Sequence, residues 1–214
     1  MLKSEITIKA LRRSVKSLGY AFFENGDFNL NIIGIRTASK VSNTFDDFIC
    51  VAFKDGGDWN LNVYESTTDP GVYWRQHPMN RKGAAILVPG QHRGSYRIGA
   101  HQGKYDALVQ AKMLPVFRDN NKDGIIDVDG DIDTGWHGIN MHRASHKWQS
   151  KLVNKWSAGC QVFASPCQYD RFMSLCKTSA SLYGPRLTYT LIEEKDLIWC
   201  WVTILSFIKK LLLI

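Results

Sequence analysis

The chain has little that would tie it to a secreted scaffold, a repeat array or a nucleic-acid module. Its start, Met1-Leu2-Lys3-Ser4-Glu5, has no long apolar run and no small-residue cleavage site, so no conventional secretory signal is read there. The expectation is synthesis in the cytoplasm, with any work outside it needing another exit route or attachment to a membrane by another segment. Five cysteines, Cys50, Cys160, Cys167, Cys176 and Cys200, form an odd set without regular spacing, which argues against a disulfide framework and for mostly reduced thiols. There is no internal repeat, no low-complexity segment, no HExxH and no paired CxxC. The formal net charge of +7 comes without a basic–aromatic motif, which sets nucleic acid aside as a partner.

What is present is enough for one sizeable core: 214 residues, 44% hydrophobic and 12% aromatic. Three stretches follow, a basic amphipathic helix and linker over 1–24, a main domain over 25–195 and an apolar tail over 196–214. In the first, Ile8, Leu11, Val15 and Leu18 share a helical face among Lys9, Arg12, Arg13 and Lys16. Such a helix lies on a membrane or wall surface, or docks on the core with a solvated basic face. The tail, apolar from Leu197 except for Thr203, Ser206 and Lys209-Lys210, is a candidate membrane anchor, with a buried terminal helix or a self-association surface as the other readings.

The main domain is expected to be α+β and predominantly β. Strands are read over Leu30 to Arg36, Phe48 to Phe53 and Trp59 to Tyr64, the last two joined by a hairpin turn at Lys54-Asp55-Gly56-Gly57. Two more flank a Gly90 to Gly94 loop, over Gly83 to Pro89 and Ser95 to Ala100. Two helical turns are read over Tyr105 to Lys112, then strands over Leu114 to Phe117 and Ile139 to His142. A helix from Pro166 to about Leu182 and a strand from Arg186 to Ile192 close the domain.

The chemistry gathers at Trp156-Ser157-Ala158-Gly159-Cys160-Gln161-Val162 and, upstream of it, Gly138-Ile139-Asn140-Met141-His142-Arg143. A thiolate is intrinsically nucleophilic, and the small residues before Cys160 allow the amides around Gly159 and Cys160 to form an oxyanion hole. His142, at a strand end, is the natural base; His137 and His146 compete for that role. His101, between glycines after a strand, is a candidate pocket residue, and Tyr96 and Trp136 are candidates for an aromatic wall or for the core. The run from Asp119 to Asp127 carries oxygen-bearing Asp119, Asn121, Asp123 and Asp127 at positions one, three, five and nine of a calcium loop, with Gly124 at six; the twelfth position is Gly130, not Glu. Calcium is therefore a candidate ligand there, against a solvated acidic turn, and the Cys–His chemistry itself needs no cofactor. A zinc-dependent peptidase built from His137, His142, His146 and Cys160 is an alternative without the usual ligand spacing.

At His142, Ser157, Gly159 and Cys160 the sequence resembles the L,D-transpeptidase (YkuD-like) catalytic domain, in which a strand histidine is followed by Ser or Thr, a variable residue and Gly-Cys. The resemblance implies a β-sandwich with peripheral helices and a Cys160 that attacks a bond in peptidoglycan peptide stems. It also implies His142 as base and Ser157 as a group orienting the loop or the imidazole. Two positions depart from the family: Arg143 stands where it has Gly, and Val162 where it has Arg. Arg143 or Arg93 is then the candidate for reading the substrate carboxylate. The wider pattern, including Thr67-Thr68-Asp69-Pro70-Gly71 and His101, looks like a phage-type branch, which shifts the expectation from crosslink formation toward endolysin-like wall cleavage. A catalytically weak wall-binding or membrane-attached domain is the remaining alternative.

Overall fold

The computed structural model describes residues 3–198 except 42 and 129. The fold is β-rich α+β with helices at its periphery. Eight strands hydrogen-bond in a closed ring: β1 (Asn31–Arg36), β11 (Leu187–Glu193), β5 (Gly90–His101), β6 (Tyr105–Gln110), β9 (Met141–Arg143), β10 (Gln161–Phe163), β3 (Asp58–Thr67) and β2 (Asp47–Asp55), which returns to β1. A separate sheet has the order β4 (Ala84–Leu87), β7 (Leu114–Asp119), β8 (Asp133–Gly135).

Strands β1 and β2 read as near-continuous apolar runs because both of their faces are covered. Ile32, Ile49, Val51 and Phe53 enter the main core, which α3 (Pro166–Tyr183) closes with Tyr169, Phe172, Met173 and Cys176. Ile33, Ile35, Phe48, Cys50 and Ala52 face the other way, under Ala10, Leu11 and Val15 of α1 (Ile8–Ser17). The N-terminus of α1 is capped by Thr7, whose Oγ1 accepts the Ala10 amide at 3.1 Å. Its basic face pairs Arg12 and Lys16 with Glu24, so the helix is a docked one. Leu197 joins the same cluster and the Ile198 amide donates to Ser14 Oγ at 2.7 Å. The rest of the expected tail, 199–214, lies outside the described residues, and no helix among the described residues is long and apolar enough to cross a membrane.

The expected hairpin is present: Asp55 registers with Asp58, and Gly56 and Gly57 take φ of 60° and 88°, the left-handed pair that such a two-residue turn requires. The Asp27 carboxylate accepts both glycine amides, at 3.0 and 3.2 Å. Two expectations are corrected. Tyr105 to Lys112 is not helical: Tyr105–Gln110 is β6, paired with Tyr96 to His101. Ala107 and Leu108 are both fully buried, and a short apolar run of this kind does not by its periodicity separate a buried strand from a helix. Gly90 to Gly94 is not a loop but the start of β5, with Gln91 and His92 opposite Thr190 and Tyr189.

Candidate active site

Strands β9 and β10 lie side by side and parallel, with Gln161 opposite Met141 and Val162 opposite His142, and the Gln161 amide donates to the Asn140 carbonyl at 2.9 Å. Met141 and Phe163 enter the core. By the two-residue alternation of a strand, Asn140, His142, Cys160 and Val162 share the opposite face. His142 stands in the middle of its short strand, and Cys160 immediately precedes β10.

Ser157, fully buried, builds the turn into Cys160. Its Oγ donates to the Cys160 carbonyl at 2.8 Å and accepts the Gly159 amide at 3.2 Å, while its carbonyl accepts the Gly71 amide at 2.9 Å. Of its two expected roles, Ser157 therefore holds the loop and not the imidazole. Gly159 has φ of 126°, and a Cβ there would stand 2.3 Å from the Ala85 carbonyl oxygen, so only glycine fits. The same geometry corrects the expected oxyanion hole: the Gly159 amide is already spent on Ser157, leaving the Cys160 amide as the candidate donor. The half-buried Cys160 Sγ accepts the Asn140 amide and donates to the Gly138 carbonyl, each at 3.4 Å. Burial pushes the thiol up to about 11, with the Asn140 amide pulling the other way.

His142 is buried, and its Nδ1 lies 2.8 Å from the Arg143 carbonyl oxygen. A carbonyl only accepts, so Nδ1 carries the hydrogen and Nε2 keeps a bare lone pair. The ring stacks on His101, centroids 4.0 Å apart and planes 20° apart. Burial, then the neighbouring His101, pushes His142 down to about 3, so the imidazole is neutral at pH 7. His101 is lowered too, by burial first and then by Lys104 and Arg143, and its Nδ1 faces Asn140 Nδ2 at 3.2 Å. Asn140 thus links Cys160 to His101, which stacks on His142. The resting thiol hydrogen points at Gly138 and not at His142.

Other expected site residues stand elsewhere. Arg143 lies with its guanidinium over the Tyr105 ring, 4.0 Å from the centroid, because alternation turns it to the face opposite His142; it serves the site through its carbonyl. Arg93 is near the other end of β5 from His101, stacked over Phe23, and its carbonyl accepts Lys112 Nζ. His137 is committed on both nitrogens, Nε2 to the Asp133 carbonyl and Nδ1 to Arg118, each at 3.0 Å, and His146 is exposed. Tyr96 is core, whereas Trp136 is exposed and lines a cavity of about 240 Å³ with Trp74, Arg118, His137 and Ala158, beside the Cys160 turn. Asp119 ends β7, and Asn121, Asp123 and Asp127 lie in the loop after it.

Two residues that motif reading does not find hold the site. Gln110, at the end of β6, accepts the amides of His137, Gly138 and Ile139 on one oxygen, at 3.1, 2.8 and 3.1 Å, and donates to the Lys112 and Gly135 carbonyls, both at 2.8 Å. It fixes the loop whose Gly138 carbonyl takes the thiol. Asn140 accepts the Gln110 amide at 3.0 Å while facing His101. Asn140 falls within the Gly138 to Arg143 stretch, whereas Gln110 lies in a stretch whose sequence reads as helical; the partners of both are set by strand pairing. Comparison with family models, curated proteins and solved structures finds no match.

Proposed function

We propose that this protein is a cysteine acyl-enzyme acting on the peptide stems of peptidoglycan, with Cys160 as nucleophile and His142 as base. One observation carries the reading: a thiol and an imidazole share one face of two parallel strands, and the Arg143 carbonyl holds the imidazole with Nε2 bare. The thiol turns from Gly138 toward His142, Nε2 takes its proton as Sγ attacks the stem carbonyl, and the Cys160 amide meets the developing oxyanion. Collapse breaks the C–N bond, the proton passes from His142 to the leaving amine, and a thioester remains. Water then releases a shortened stem, as in an L,D-carboxypeptidase or endopeptidase; an amine gives transpeptidation. The Trp74–Trp136 cleft beside Ala158 receives the stem. The L,D-transpeptidase-like sandwich and the phage-type branch belong to the same proposal, supported by the strand histidine and the Ser157-to-Cys160 turn. So does action at the wall after release, or from a membrane through the apolar tail.

The test is incubation of purified muropeptides with the wild type and Cys160→Ala, read by mass spectrometry. Stem shortening, crosslink loss or amino-acid exchange is expected from the wild type alone, with a thioester adduct at Cys160; no product and no adduct would sink the enzyme reading. A wall-binding domain without turnover is the second reading, favoured by the thiol's resting bond to Gly138. Retention on sacculi without any product would put it first.

A further inference from the structure

The loop that leaves β7 at Asp119 turns on two left-handed residues, Lys122 at φ 63° and Gly124 at φ 83°. Asn121 Oδ1 accepts the Asp123 amide at 3.1 Å, and Asp123 Oδ1 accepts the Ile125 amide at 2.7 Å. Ile126 is buried, and its amide donates to the Lys40 carbonyl at 2.8 Å, which anchors the loop to the body of the protein. Solvated acidic turns share much of this, so the turn alone would say nothing about a ligand.

Asp119 is what a solvated turn does not explain. It is only 2% exposed, yet neither of its carboxylate oxygens has a hydrogen-bond partner. Buried carboxylates are paired, hydrogen-bonded or bound to a metal, because stripping water from an anion without replacement is costly. The groups that act on it are those of the loop, Asp127 and Asp123, and Arg75 of the body. Within the same loop a single neutral donor, Asn121 Nδ2, sits between Asp127 Oδ2 at 2.6 Å and Asp123 Oδ2 at 3.1 Å. One amide nitrogen thus takes the place between two anionic acceptors.

We propose that this loop binds one calcium ion, with Asp119, Asn121, Asp123 and Asp127 supplying side-chain oxygens and the Ile125 carbonyl and water completing the shell. Among the described residues no three His, Cys, Asp or Glu side chains already converge as a metal-holding group; the set proposed here depends on an amide and a backbone oxygen as well as carboxylates. Such a mixed, flexible oxygen set suits calcium, which takes about six to eight ligands, better than the strict octahedron of magnesium. The ion would fix the segment between β7 and β8, upstream of the His137 to Asn140 loop.

The test uses the full chain, stripped with chelator, titrated with calcium chloride by calorimetry and followed by thermal unfolding. One ion per chain is expected, with a rise in Tm of several degrees at saturation. Asp119→Asn should weaken binding at least about tenfold. Asp123→Asn combined with Asp127→Asn should stay folded by circular dichroism and lose the calcium-dependent rise. The proposal is overturned if folded wild type shows no heat and no rise up to about 10 mM calcium, beyond the weakest sites of this kind. It is equally overturned if the double variant rises as much as the wild type, or if magnesium gives the same rise at the same concentration.

Discussion

Two buried polar regions flank the core; burial favours the neutral form of the titratable groups in both, but only in the second does an ion pair stand against it. At Cys160 and His142, burial raises the thiol and lowers the imidazole, so both groups rest neutral and reactive atoms are kept without stored charge. Around Arg36 and Asp69, burial raises the carboxyl, but an arginine stands against it with Nε 2.8 Å from Asp69 Oδ1. Arg36 also donates to Thr68 Oγ1 at 3.1 Å and to the Leu87 and Thr68 carbonyls, both at 3.0 Å. The adjacent Asp47 carboxylate accepts the Thr68 amide and hydroxyl at 2.7 and 2.8 Å. The first region is arranged for proton transfer; the second holds the Thr68-to-Gly71 turn, and Gly71 in turn holds the Ser157 carbonyl.

The largest effect should come from the charged region. Arg36→Met removes the guanidinium 2.8 Å from the buried Asp69 and leaves Arg75 as the remaining cation that acts on it, a loss of about 3–5 kcal/mol measured by urea unfolding. A loss below about 1 kcal/mol would mean that water or another cation reaches Asp69, and the contrast between the regions would fail.

The second prediction concerns the neutral region. Gln110→Leu leaves three amides and two carbonyls without their partner, a cost of about 2–4 kcal/mol at the level of one or two unsatisfied groups. Because Gln110 acts through the Gly138 loop, it is a positioning residue: kcat on the muropeptide substrate should fall while KM changes little. Equal losses in both, or a fall in stability with kcat intact, would restrict Gln110 to structure.

Part of this contrast is legible in the sequence and part is not. The Gly56-Gly57 turn, the Ser165–Pro166 start of α3 and the Ser157-to-Cys160 turn depend on local chemistry: left-handed glycines, a capped first turn, a hydroxyl spanning three residues. The strand nature of Tyr105–Gln110 depends on pairing with β5, and the roles of Gln110 and Asn140 depend on which strands meet, information that no short window holds. The placement of Arg143 depends on strand geometry in the same way: it is next to His142 in sequence, but the alternation of β9 turns its side chain to the other face, over Tyr105.

The smallest effect is the most discriminating, because buried histidines and buried carboxyls titrate in opposite senses. His142 and His92 are held neutral, His92 pushed down to about 4 by burial although its Nε2 lies 3.1 Å from the Val88 carbonyl. In the unfolded chain both titrate near about 6.5. Below that pH the unfolded state binds protons that the folded state refuses, so each histidine removes about 1.4 kcal/mol of stability per pH unit. The loss proceeds as the pH falls, until the folded value near 4 or 3 is reached. Asp69 and Asp119, raised by burial, work against this: folded, they hold protons that the unfolded chain has already released, so their contribution is lost as pH rises. The wild-type profile is therefore a sum of opposing contributions, and the difference from His92→Gln isolates one of them. Between pH 6 and pH 4.5 that difference should narrow by about 1 kcal/mol per unit in urea melts, the wild type losing ground as acid is added. A difference independent of pH would show that His92 takes up its proton in the folded protein, and that burial does not keep this end of the core neutral.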